Sequence, residues 1–189
     1  MLTGSAIIQA VKKKEIQITP FDISCINPNS YNVHLANTLK IYTKHRVLDT
    51  REKNIPDYER TIPEEGFILY PGKLYIGSIV ERVKSNFYIS AIDGRSSIGR
   101  LGLQIHATAG FGDIGFDGHY TLEMIATVPV RVYPNDLIGQ LYFEKPDGDV
   151  DFLYSGRYQH QVTPTESRIE IDSRTIKGYH YVEQQKKDE

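Results

Sequence analysis

Gly118-His119-Tyr120-Thr121-Leu122-Glu123-Met124-Ile125-Ala126-Thr127-Val128 alternates in character along most of its length. Side chains of an extended strand point to opposite faces in turn. The period of two places Tyr120, Leu122, Met124, Ala126 and Val128 on one face, and His119, Thr121, Glu123, Ile125 and Thr127 on the other. Glu123 then sits beside Ile125 on a partly apolar face of a central strand. Desolvation there raises a carboxyl pKa, and an adjacent cation such as Arg100 would pull it back down. Such opposed effects tune a general acid/base. A surface glutamate paired with a neighbouring lysine is the plainer alternative.

Working outward, Pro134-Asn135-Asp136 supplies a turn into a second strand candidate, Leu137-Phe143. Further candidates run back along the chain at Leu103-His106, Phe87-Ala91, Leu74-Val80, Phe67-Tyr70, Leu39-Tyr42, Tyr31-Leu35 and Glu15-Thr19, with Pro71-Gly72 as a tight turn between two of them. Thirteen tyrosines, fifteen glycines and nine prolines in 189 residues suit many short strands. This pattern predicts a mainly β barrel or sandwich rather than an α/β sheet. The exception is one short helix over Ala6-Lys14, with Ser5 as its cap, Ile7, Ala10 and Val11 on one face, and lysines at the end favoured by the helix dipole. Lys44 to Glu65, rich in charge and holding two prolines, reads as an excursion from the barrel.

The length and a 40% hydrophobic content fit one domain over 1–189, with 183–189 as a solvated tail. A formal charge of −2 offers no bulk attraction to nucleic acid or membrane, so any phosphate affinity must be local. Cys25, the single cysteine, excludes an intrachain disulfide framework, and no signal-like or membrane-spanning run stands at the start. A cytoplasmic protein is the expectation.

Upstream of the opening strand lie two segments rich in groups that hold anions. In Asp93-Gly94-Arg95-Ser96-Ser97-Ile98-Gly99-Arg100-Leu101-Gly102-Leu103, a strand ends at Asp93-Gly94 and one helical turn puts Ser96 and Arg100 at i and i+4, on the same side. Amides at the start of that turn attract an anion, and Arg95 adds a fork of donors for phosphate oxygens. A solvated strand-to-strand turn is the plainer reading of this segment alone. In Thr108-Ala109-Gly110-Phe111-Gly112-Asp113-Ile114-Gly115-Phe116-Asp117, glycines on both sides of Asp113 let the backbone approach a ligand with the carboxylate aimed at it. A glycine-rich hairpin with a solvated aspartate is its counterpart. Together the two segments suit a nucleoside triphosphate, with two carboxylates as separate general bases.

These segments resemble the dCTP deaminases of the dUTPase-like superfamily, and more narrowly the bifunctional deaminase/dUTPase members. The likeness runs from about Leu2 to Arg168. It extends to Ile18-Thr19-Pro20-Phe21, Pro28-Asn29-Ser30-Tyr31-Asn32-Val33-His34-Leu35, Glu65-Gly66-Phe67-Ile68-Leu69-Tyr70-Pro71-Gly72, Ile138-Gly139-Gln140-Leu141 and Arg157-Tyr158-Gln159-His160-Gln161. The resemblance implies a distorted, jelly-roll-like dUTPase-type β-barrel with a short N-terminal helix.

It also implies roles. Glu123 would be the proton shuttle of deamination, Ser96 would orient the water or the base, and Arg100 would hold Glu123 ionised. Asp113 would meet the sugar 3′-hydroxyl and activate water at the α-phosphorus of dUTP, with Mg²⁺ held mainly by triphosphate and water. Arg95, Ser97, Ala109, Gly110, Gln140, Tyr154, Arg157 and Gln161 would bind nucleotide, and His106, Ala107 and Thr108 would form a regulatory segment. Deamination in this family needs no zinc, and one cysteine cannot build the His-x-Glu and Pro-Cys-x-x-Cys pattern of zinc deaminases. Ala109-Gly110-Phe111 matches the bifunctional members, which convert dCTP to dUMP and pyrophosphate and so supply dUMP for dTMP synthesis. The implied partners are dCTP, dUTP, dTTP as feedback inhibitor, and two further copies of the chain in a homotrimer with shared active sites.

Four positions depart from the family pattern. Asn32 and His34 stand where many relatives have Asp and Arg. Arg157 replaces a lysine. Gly112 replaces a branched aliphatic residue, which predicts a looser pocket floor. A deaminase that releases dUTP, a plain dUTPase and a non-catalytic nucleotide-binding regulator are the alternative functions.

Overall fold

The computed structural model describes residues 1–43, 47–169 and 179–181. β6 (Leu74–Ser85) pairs antiparallel with β10 (Asp117–Ala126), with Thr121 opposite Ser78 and Glu123 opposite Ile76. β10 alternates as its sequence dictates. Tyr120, Leu122, Met124 and Ala126 are buried, while His119, Thr121, Glu123 and Ile125 are half-buried. β6 outruns the expected Leu74-Val80 because its polar end is satisfied within the sheet. Glu81 turns inward to the His34 amide and ring, and Arg82 grips Asp117 across the pair.

On the opposite edge of β6 pair β1 (Ile16–Thr19) and β3 (Thr38–Tyr42), and β3 carries β4 (Tyr58–Thr61) as an edge strand. β4 lies inside the charged excursion and was invisible to alternation, since all four of its residues are exposed. β8 (Leu103–Gln104) closes the far side of β10. A second sheet runs β2 (Tyr31–His34), β12 (Leu137–Glu144), β7 (Ile89–Gly94) and β9 (Phe111–Gly112). β7 begins two residues later than expected because Ser85 Oγ ties off a turn, accepting from the Tyr88 amide and donating to its carbonyl. Two small ribbons complete the structure: β5 (Phe67–Leu69) with β11 (Val130–Val132), and β13 (Phe152–Tyr154) with β14 (Tyr179–Tyr181). β5 and β6 do not pair with each other, so Pro71-Gly72 passes the chain from a ribbon into a sheet.

The core lies between the sheets, built from Tyr31, Leu35, Leu39, Ile79, Leu122, Ile138, Leu141 and Phe143, all fully buried. The architecture is the expected mainly β one. The helix α1 (Gly4–Lys12) starts two residues before the expected point. Its cap is Thr3, whose hydroxyl accepts from the Ala6 amide, rather than Ser5. Residues 183–189, read as a tail, lie outside the described residues.

Candidate functional site

The glycine-rich hairpin changes sheets. Gly112 pairs with Ser90 in the second sheet through β9, and five residues later Asp117 opens β10 in the first. The turn between them is held by the Phe116 amide donating to Asp113 O at 3.1 Å and by the Gly115 amide donating to Ser85 O at 2.7 Å. Gly115 has φ +94°, and a Cβ there would run into Leu153 and Tyr154 at 2.8 Å, so only glycine fits. Asp113 therefore projects from a fixed turn where the two sheets meet.

That turn forms the edge of a cleft of about 1250 Å³ that also takes in Ala109, Glu123, Tyr154, Arg157 and Gln161. Burial raises both carboxyl pKa values above the ordinary range. For Asp113 desolvation acts alone. For Glu123 desolvation wins over an Ala107 backbone hydrogen bond and the charge of His106. Glu123 Oε2 and Gln161 Oε1 are buried and have no hydrogen-bond partner among the described residues. Buried acceptors of this kind call for donors from a ligand or water. Burial also raises the Tyr154 phenol, against the hydrogen bond it accepts from the Tyr158 amide at 3.1 Å.

The arginine-serine segment forms the expected turn, the helix α2 (Ser96–Gly99), with Arg100 as its C-cap. It faces a different, smaller cleft. Arg95, Ser96 and His106 line that second concavity, and Arg95 Nη1 donates to Leu137 O at 3.0 Å. Gln140 belongs to this half, its Nε2 lying 3.4 Å from Gly94 O and its Oε1 accepting from Ser30 at 2.9 Å. Ser96, Ser97 and Arg100 are exposed. Among the described residues no ion pair joins Arg100 to Glu123, and the side chain whose electrostatic interaction lowers the Glu123 pKa is His106. One chain thus spreads Asp113 and Glu123, on one side, and Arg95 and Ser96, on the other, over two clefts. His106 connects them, with Nε2 3.5 Å from Asp93 Oδ1 on one side and its charge felt by Glu123 on the other. Gly110 packs against the His106 ring, which a Cβ there would touch at 3.1 Å.

Three features of the cleft escaped sequence reasoning. Thr121 lines it and accepts from the Thr165 amide at 3.3 Å; its place two residues from Glu123 was the available signal. The excursion supplies a wall through Asp49 and Thr50. There Asn54, nearly buried, donates to Asp49 O at 2.6 Å and Glu52 O at 2.9 Å, and accepts from the Asp49 amide at 3.0 Å. Gln159 staples the C-terminal segment by donating to Gly115 O and Tyr154 O and accepting from the Asp117 amide. The expected looseness at Gly112 is overturned, because the Tyr120 hydroxyl occupies the space a side chain there would take. Nor do the departures at 32 and 34 leave a gap. Asn32 is buried within 3.5 Å of Asn27, and His34 pairs with Glu81 at 2.6 Å.

Among the described residues no three His, Cys, Asp or Glu side chains converge as metal ligands, and no helix is long and apolar enough to cross a membrane.

The two sheets thus carry two desolvated carboxylates, Asp113 and Glu123, on the cleft at the glycine-rich crossing, and the anion-type donors Arg95 and Ser96 on a second cleft. A sequence model described as dCTP deaminase-like matches residues 1–146, and the chain belongs to that family. A Clostridium botulinum (strain Eklund 17B) protein named dCTP deaminase, dUMP-forming, is 47% identical over 160 residues, covering 85% of this chain and 91% of its own. One of the same name from Hathewaya histolytica is 46% identical over the same shares. The solved 2′-deoxycytidine 5′-triphosphate deaminase of Agrobacterium tumefaciens superposes with a TM-score of 0.61 at 18% identity, over 82% of this chain and 50% of that one, a likeness of fold.

Proposed function

We propose that this chain is a dUMP-forming dCTP deaminase, converting dCTP and two waters to dUMP, pyrophosphate and ammonia. The observation that carries the reading is the pair of desolvated carboxylates, Glu123 and Asp113, on one cleft, in a chain 47% identical to proteins named for that reaction.

In the first step Glu123 takes a proton from water, the hydroxide adds to C4 of cytosine, and Glu123 relays protons to N3 and to the departing ammonia. Its raised proton affinity suits a group that must both accept and release protons near neutrality. In the second, Asp113 activates a water that attacks the α-phosphorus. The bond to the bridging oxygen breaks and pyrophosphate leaves. Mg²⁺ enters as part of the substrate, on the triphosphate. Ala109, Gly110, Tyr154, Arg157 and Gln161 line or support the nucleotide cleft, while Arg95, Ser97 and Gln140 supply donors for phosphate.

The half-sites carrying Ser96 and Arg100, on one side, and Glu123 and Asp113, on the other, become whole when the first cleft of one subunit meets the second cleft of its neighbour. We assign the working form to a homotrimer with shared sites, and to His106, Ala107 and Thr108 the role of transmitting inhibition by dTTP. A cytoplasmic location fits a chain whose one cysteine, Cys25, is free and buried.

Purified protein incubated with dCTP and Mg²⁺ and resolved by anion-exchange chromatography tests the reading. Stoichiometric dUMP and pyrophosphate support it. Accumulating dUTP reduces it to a deaminase, and unchanged dCTP removes it.

A further inference from the structure

Gly112 is a glycine for want of space and not for its backbone. Its φ is not among the positive values found at Gly66, Gly72, Gly102, Gly115 and Gly148, so an alanine would meet no conformational obstacle there. A Cβ would instead collide with the Tyr120 hydroxyl, and would stand 2.9 Å from Tyr120 Cζ and 3.0 Å from Ser90 O.

The hydroxyl that fills this space is itself held. It is 2.7 Å from Ser90 Oγ and donates to Ser90 O at 3.3 Å, and both residues are almost completely buried. Ser90 is the residue opposite Gly112 in the ladder between β7 and β9. The phenol thus bonds to the partner of Gly112 while pressing on Gly112 itself. On its other side the Tyr120 ring packs on Phe116 with centroids 5.0 Å apart, and the Phe116 amide closes the turn onto Asp113. Gly112 and Phe116 bracket Asp113, and Tyr120 touches both.

We infer that Tyr120 is a positioning residue for Asp113, its hydroxyl standing in for a side chain at 112 and fixing with Ser90 the height of the Gly112-Asp113 turn at the cleft. The inference rests on the reading of Asp113 as the base of dUTP hydrolysis. In-line attack is sensitive to placement, and a displacement near 1 Å in a group holding the nucleophile costs up to about a hundredfold in rate. Glu123, three residues further along β10, is held by its own long pairing with β6. The second reaction therefore depends on the Tyr120 hydroxyl more than the first does.

Tyr120→Phe keeps the ring and its contact with Phe116 while removing the hydroxyl. It is expected to lower kcat for dUTP hydrolysis about tenfold more than kcat for dCTP deamination, with little change in KM, so that dUTP appears as a released product. Gly112→Val alone should lower Tm and both activities through the clash. Gly112→Val combined with Tyr120→Leu removes the colliding phenol and should recover Tm and dUMP formation. A general loss of structure would depress both reactions together and would not be repaired by the second substitution. A Tyr120→Phe protein giving dUMP and dUTP in wild-type proportion at wild-type kcat overturns the inference, as does a double variant no better than Gly112→Val. A wild-type chain that forms no dUMP from dUTP removes the hydrolysis reading and the inference with it, an outcome read from the wild-type arm alone.

Discussion

Gln161 and His119 clasp each other twice. The His119 amide donates to Gln161 O at 2.9 Å, and Gln161 Nε2 donates to His119 O at 2.6 Å. The bonds dock the C-terminal segment along the start of β10, and they fix the Gln161 amide so that its carbonyl oxygen is the atom left without a partner in the cleft.

Gln161→Ala removes one of the two bonds. A net loss of about 1 kcal/mol is expected in the docking of the segment, equivalent to roughly a fivefold rise in KM for dCTP with a smaller change in kcat. Hydrogen exchange at the His119 amide should accelerate in parallel, since its remaining bond persists only while the segment is docked. Unchanged exchange with a raised KM would show that Gln161 acts on the nucleotide alone.

Glu123 has a raised proton affinity, so its ionised form is lost on acidification earlier than that of an ordinary glutamate. The acid limb of kcat/KM for deamination should lie correspondingly above the usual carboxylate range, and Glu123→Gln should reduce kcat by at least about a hundredfold. The stability consequence has the opposite sense. The folded state holds this proton more tightly than the unfolded state, so the contribution is present at acid pH and is lost as pH rises through the folded pKa. Replacing the carboxylate by an amide should therefore raise Tm at neutral pH and have a smaller effect in acid, as thermal melts across pH would show.

Because Ser96 and Glu123 line separate clefts of one chain, variants lacking one each are complementary. Mixing Ser96→Ala and Glu123→Ala chains after subunit exchange should restore activity at about a quarter of the sites, the share pairing two intact halves in a randomly assorted ring. An inactive mixture with exchange verified by mass spectrometry would place both residues in one subunit's site.

The period-two pattern made β10 and the two faces of Glu123 legible, because the core demanded it at every other residue. The turn at Ser96 was equally readable from local chemistry. β4 was not, since an edge strand with four exposed residues has no apolar face to betray it, and the far end of β6 was hidden by Glu81, Arg82 and Lys84, whose partners lie elsewhere in the chain. The separation of Arg100 from Glu123 was also beyond the sequence. Opposite charges read as neighbours until the fold sends Glu123 to the large cleft and leaves Arg100 exposed at the end of α2. The consequence of Gly112 depended on Tyr120, eight residues away on another strand.

Whether the enzyme adds water twice to a single substrate can be read by turning over dCTP and Mg²⁺ in water enriched in oxygen-18 and weighing the products. The expected product is dUMP carrying one heavy oxygen at C4 of the base and one on its phosphate, with unlabelled pyrophosphate. Singly labelled dUTP as the end product, or dUMP whose phosphate is unlabelled while pyrophosphate carries the isotope, would contradict the double addition.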